Sequence, residues 1–175
     1  MVSEYAQKFY LPAGQRWDVF QRNDLEKART LADWKESMQD RWHDVRVGKI
    51  DVLSKGELHV GRELKVRCQV RLGQISPGEV AVEIYQGLVD SDGRIQKGQA
   101  VEMECQSGAA GEFHTYTGLI PCTISGRCGF AICVVAKNED LANKYDTGLI
   151  RWEESSSAPA KVPAVAELEE GGTAS

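Results

Sequence analysis

Between Leu64 and Leu72 apolar and polar residues alternate without a break. Leu64, Val66, Cys68, Val70 and Leu72 fall on one side, and Lys65, Arg67, Gln69 and Arg71 on the other. A period of two belongs to a β-strand, so this segment predicts a strand with one face on a core and one in solvent. A second run, Phe130 to Ala136, is apolar on both sides: Phe130, Ile132, Val134 and Ala136 share one face, with Ala131, Cys133 and Val135 opposite. It predicts a strand at the centre of a sheet.

These two runs belong to a longer rhythm from Arg46 to Trp152. Val47–Leu53, a short Leu58–Val60, Val80–Tyr85, Ala100–Cys105 and Phe113–Ile120 are further strand candidates. Turn chemistry separates them, at Ser54-Lys55-Gly56, Gly61-Arg62-Glu63, Ile75-Ser76-Pro77-Gly78, Asp90-Ser91-Asp92-Gly93 and Ser107–Gly111. Phe113–Ile120 and Gly129–Ala136 are expected to pair with each other. Roughly seven strands at this spacing predict a mainly β chain, an immunoglobulin-like antiparallel β-sandwich over residues 46–152. The Cys–Trp–Cys hallmark of antibody domains is absent, so the likeness is one of architecture.

Residues 1–45 read as helical. Val2, Tyr5, Ala6, Phe9 and Tyr10 lie on one helical face, and Leu11-Pro12 ends it. The second helix starts at Asn23 or Asp24, with Glu26 in its first turn. Leu31, Trp34, Met38 and Trp42 form one stripe. On a helix such a stripe packs more often than it forms a ligand platform. The aromatic face Tyr5, Phe9, Tyr10 and Trp34 is a candidate docking face, because in an isolated helix it would be exposed. Residues 153–175 are mostly Ser, Ala, Pro, Gly and Glu and predict a disordered tail.

Charge and cysteine use narrow the function. The net charge is −5, and five glutamates against Lys161 put −4 of it in the tail. The near-neutral remainder argues against nucleic acid or an anionic membrane as partner. The longest apolar stretch is strand-length, short of the roughly 20 residues of a membrane helix. The first residues carry charge where a secretion signal needs an apolar run, so a cytoplasmic chain is expected. Five cysteines, Cys68, Cys105, Cys122, Cys128 and Cys133, an odd number without an export signal, predict reduced thiols acting as small buried hydrophobes. Their spacing is not that of a zinc site.

No catalytic constellation emerges. Ser125, His114 and Asp92 compose a triad only on paper, with no nucleophile elbow and no oxyanion motif. Asp90-Ser91-Asp92-Gly93 echoes a calcium loop, but its twelfth position is Val101 rather than Glu. His43 has only Asp44 beside it, too little for a metal. Neither Gly87–Gly98 nor Gly126–Gly129 is a phosphate loop. Lys65, Arg67 and Arg71 form a basic stripe, read first as a solvated face and second as a phosphate or glucan contact. Tyr85, Tyr116, Tyr145 and Trp152 are candidates for stacking on sugar rings.

The order of several short stretches resembles a known family. Met1-Val2-Ser3-Glu4-Tyr5 and Phe9-Tyr10-Leu11-Pro12-Ala13 come first. Leu31-Ala32-Asp33-Trp34-Lys35, Trp42 and Val45-Arg46-Val47 follow. Then come Leu72-Gly73, Pro77, Val80–Gly87, Ile120-Pro121-Cys122, Ser125-Gly126-Arg127 and Gly148-Leu149-Ile150-Arg151-Trp152. Taken in sequence over residues 1–152, they resemble the C-terminal end of the short bacterial branch of α-1,4-glucan (glycogen or maltodextrin) phosphorylases. The resemblance implies a glycosyltransferase that passes a glucosyl unit to phosphate, giving glucose 1-phosphate, with pyridoxal phosphate on a lysine. In that family the cofactor lysine and the phosphate contacts precede the segment matching Met1. No catalytic, cofactor-binding or metal residue is therefore carried over. The chain is expected to be inactive alone and to serve a phosphorylase catalytic part as an accessory or docking segment. The alternative is a free-standing carbohydrate-binding module that takes an α-glucan.

Overall fold

The computed structural model describes residues 25–54, 61–106, 112–122 and 128–154, and the backbone of 160–161. The helix expected over Val2–Tyr10, with Tyr5, Phe9 and Tyr10, lies outside the described residues. So do the cap Asn23 or Asp24, the strand Leu58–Val60, Ser125 and most of the tail. The chain divides into two compact units, Met1–Asp40 and Arg41–Ser175.

Helix α1 spans Glu26–Arg41, with Glu26 in its first turn and Arg41 in its last. Both charges complement the helix dipole. Of the expected stripe, Leu31 and Trp34 are half-buried and Met38 is buried. The helix stops at Arg41, and Trp42 sits instead in a one-turn 3-10 extension, Trp42–Asp44, where it is buried.

The second unit is built of β1 (Arg46–Val52), β2 (Glu63–Arg71), β3 (Val80–Val89), β4 (Ile95–Glu102), β5 (Glu104–Cys105), β6 (Phe113–Pro121), β7 (Cys128–Ala136), β8 (Ile150–Trp152) and β9 (Ala160–Lys161). They form two antiparallel sheets. The first has the order β1-β2-β6-β5; the second has β4-β3-β7-β8, with β9 also on β7. Within the region expected to be a disordered tail, Ala160 and Lys161 pair with Phe130 and Gly129, where β7 extends past β8 and offers open backbone groups.

β2 realises the alternation that marks it in the sequence: Leu64, Val66, Cys68 and Val70 are buried while Lys65 and Arg67 are exposed. β7 lies between β3 and β8 and is buried on both faces through Ala136. The core between the sheets holds Leu64, Val66, Val70, Val82, Ile84, Phe130, Ile132 and Val134. Each such side chain stabilises the fold by about 1.5–3 kcal/mol through burial. The sheets approach closely at Gly118 of β6. A methyl group there would lie 2.7 Å from Ile84 Cδ1 of β3.

The pairing of the late strands differs from expectation. Phe113–Pro121 pairs with β2 and Cys128–Ala136 with β3, so their connection crosses from one sheet to the other. Local pattern sets the strands, but the partner is set by which apolar face meets which. The expected strand Ala100–Cys105 is likewise divided. Ile95–Glu102 pairs with β3, the chain kinks at Met103, and Glu104–Cys105 pairs with β6 of the other sheet. Met103 is buried at the kink, its sulfur 3.7 Å from Cys68 Sγ.

Turns follow their chemistry. Asp90 accepts from the backbone N–H groups of Asp92 and Arg94 and from the Gln96 amide. These bonds hold its carboxyl below the usual range and close the β3–β4 hairpin. Ser76 and Glu79 form a reciprocal capping box on the 3-10 turn Pro77–Glu79.

Candidate aromatic face of the second sheet

β-strand pleating sends alternate residues of β3, β7 and β8 away from the core. On that outer face Ala81 stands beside Val135, Glu83 beside Cys133 and Tyr85 beside Ala131. Ile150 and Trp152 of β8 continue the rows from Val135 and Cys133. Ala81, Cys133 and Val135 form a small second core with Ile150 packed on it.

A charge sits inside this apolar face. Glu83 is 5% exposed, and Lys144, from the connection between β7 and β8, reaches it. Lys144 Nζ donates to Glu83 Oε1 at 2.7 Å and to Oε2 at 2.9 Å. The same ammonium lies 5.0 Å from the centre of the Tyr145 ring, a cation–π distance. Burial works against the charged lysine, but hydrogen bonds to Glu83 and Tyr145 prevail and raise it above its ordinary value. Burial pushes the Cys133 thiol up to about 11; the Glu83 charge adds to this and Lys144 offsets part of it.

Tyr85 and Trp152 meet beside the ion pair. Their ring centres are 6.0 Å apart at an interplanar angle of 81°, the edge-to-face geometry aromatic pairs favour. Trp152 is 46% and Tyr145 47% exposed, and Tyr85 is half-buried.

The structure thus brings two of the four stacking candidates, Tyr85 and Trp152, into contact on one sheet face, and places Tyr145, from the β7–β8 connection, against the lysine of the ion pair on that face. Tyr116 lies elsewhere, on β6, and is 2% exposed. Burial pushes its hydroxyl up, with the neighbouring thiols adding to the effect. Trp34 belongs to the other compact unit. The basic stripe is partly neutralised: Arg67 pairs with Asp51 at 3.2 Å and Arg71 with Glu112 at 3.3 Å. His114 lies on β6 of the first sheet, and Asp92 lies in the turn between β3 and β4 of the second. Of the five thiols Cys68, Cys122 and Cys133 are buried, Cys128 is half-buried and Cys105 is exposed. Sequence reasoning passed over Glu83 and Lys144. The available signal was a carboxylate placed between Ala81 and Tyr85 on the outward side of an otherwise apolar strand.

The face does not fit a Schiff-base cofactor. Its lysine is held as an ammonium by a buried carboxylate, which removes the free amine such a bond requires. Among the described residues no group of three or more His, Cys, Asp or Glu side chains is placed to hold a metal, and no helix is long and apolar enough to cross a membrane.

Two antiparallel sheets, one with an aromatic outer face and a half-buried ion pair, define a mainly β domain. The chain belongs to the glycogen phosphorylase C-terminal domain family, which it matches over residues 42–154. It is 25% identical over 151 residues to a glycogen phosphorylase of Mycobacterium bovis. To a maltodextrin phosphorylase of Thermococcus litoralis it is 28% identical over 155 residues. These matches take in 86% and 87% of this chain, yet the chain spans only 18% of the length of either relative.

Proposed function

We propose that this chain is the C-terminal accessory part of an α-1,4-glucan phosphorylase and is non-catalytic by itself. The observation that carries the reading is the match over residues 42–154 to a domain family defined by its place in glycogen phosphorylases. The named relatives are several times longer, and the reaction belongs to them as whole proteins. In this reading the reaction served is phosphorolysis of glycogen or maltodextrin to glucose 1-phosphate, by a glycosyltransferase that holds pyridoxal phosphate in a catalytic part elsewhere. Residues 1–45 close that part through Tyr5, Phe9, Tyr10 and Trp34. Residues 46–152, an immunoglobulin-like sandwich, support assembly, and residues 153–175 are a tail. The work is cytoplasmic.

The test is to isolate the native species from its source cells with an antibody against the sandwich. A species with the pyridoxal chromophore and phosphorolytic activity, as one polypeptide or a complex, is expected. A lone 19.3 kDa chain without either would sink the reading.

The convergence of Tyr85, Tyr145 and Trp152 favours a second reading, a carbohydrate-binding module that stacks α-glucan on this face. Affinity electrophoresis in glycogen decides it. Retardation lost in Trp152→Ala supports the module, and unretarded migration of the wild-type chain rules it out.

A further inference from the structure

Where the chain leaves one sheet at Met103 and joins the other, a cleft of about 570 Å³ opens at the sandwich edge. This volume is in the range of small-molecule sites. Val80, Val82 and Met103 give it an aliphatic floor, and all three are buried. Tyr116 lines the cleft with its ring 2% exposed. Its hydroxyl meets no nitrogen or oxygen partner; only the weakly bonding Cys105 thiol of the paired strand stands against it. Buried hydroxyls are seldom left without a strong partner in native proteins, so this one has capacity for another.

Pro77, Gly78 and Cys105 complete the uncharged lining, and the charged lining is acidic on balance. Glu102 and Glu104 flank Met103, with Lys137 nearby. Lys137 is bound to Glu102, while Glu104 is exposed and makes no ion pair or side-chain hydrogen bond among the described residues. An anionic ligand finds no uncommitted cation here. A sugar ring finds no open aromatic face. A ligand with an apolar body and a cationic head finds a complement to both parts. We infer that this cleft binds a linear aliphatic amine: its methylenes lie on Val80, Val82 and Met103, and its ammonium donates to Glu104 and to the Tyr116 hydroxyl.

The experiment is a calorimetric titration of the full chain at neutral pH with n-pentylamine and 1,5-diaminopentane. 1-Pentanol, pentanoate and maltose serve as comparators. Both amines are expected to bind saturably and more weakly in added salt, with 1-pentanol roughly fivefold weaker. Glu104→Gln changes an exposed side chain. It should lower amine affinity roughly fivefold and leave 1-pentanol unaffected. Tyr116→Phe, with its fold checked by circular dichroism, should weaken both. The inference is overturned if neither amine binds at millimolar concentration, if 1-pentanol or maltose binds as well as pentylamine, or if Glu104→Gln changes nothing.

Discussion

Lys144 grips both carboxylate oxygens of Glu83, at 2.7 and 2.9 Å, across 61 residues of sequence. The carboxylate side chain is 6% exposed and the lysine 41%, so the pair is buried at one end only. Removing the lysine alone strands a buried charge. Lys144→Met is expected to cost about 2 kcal/mol, less than for a fully buried pair. The double variant Glu83→Leu/Lys144→Met should recover most of that loss. Urea midpoints measure both, and equal losses in single and double variants would contradict the account.

The same pair sets an alkaline limit. Lys144 is raised above 10.5 in the folded chain. A group raised on folding stabilises fully below its unfolded value, and its contribution drains away as pH climbs through the folded one. The stability gap between wild type and Lys144→Met should hold level from neutrality to about 10.5 and narrow above it.

Buried thiols act earlier on the pH scale. Burial, with the Glu153 charge adding to it, lifts Cys68 from 9.0 to about 12, and Cys133 rises from 9.0 to about 11. The unfolded chain therefore loses these protons first. Stability should be complete below 9.0 and fall above it by up to roughly 1.4 kcal/mol per pH unit for each thiol, until pH passes that thiol's folded value. Cys68→Ala, unfolded in urea at a series of alkaline pH values, should show a shallower decline than wild type. In native buffer, Cys105 should be the first described thiol to react with a disulfide reagent, and Cys105→Ser should abolish that phase.

Gly98 leaves room for the Tyr85 ring. A methyl group there would collide with the ring at Cζ, so Gly98→Ala must push it. The expected cost is about 1–3 kcal/mol, with a shift in Trp152 fluorescence as the 6.0 Å ring contact opens. A Trp152→Phe background should show the destabilisation without the fluorescence change.

Gly73 is constrained twice. Its φ is +59°, and a methyl group would meet Asp44 Cβ at 2.6 Å. Gly73→Ala is expected to cost about 2 kcal/mol. Adding Asp44→Gly should return the share due to the clash and leave the share due to the backbone. No recovery would place the whole cost in φ.

How much of this was legible depended on how local the cause was. β2 could be read because its burial follows its alternation residue by residue. Alternation predicts β3 only to Tyr85, yet the strand runs to Val89. Past Tyr85 the pattern gives way to Gln86 and Gly87, and it is the Asp90 turn that keeps the strand paired. The first part of β4 is not legible, because Ile95–Gln99 is an edge segment with few apolar residues. β8 is three residues long and leans on β7. The stacking candidates could be chosen by residue type. Nothing in the sequence near Tyr85 announces Trp152, and a loop lysine such as Lys144 looks like any surface charge.

The kink at Met103 ties the two sheets into a single reading frame. A strand that belongs to both cannot slip in one without slipping in the other. A one-residue error in the β3–β4 hairpin would turn Met103 outward and present Glu102 or Glu104 to the core, and the same error would pass into the pairing with β6. Misregistered forms are therefore disfavoured in both sheets at once, and the hairpin closed by Asp90 proofreads a sheet to which it does not belong.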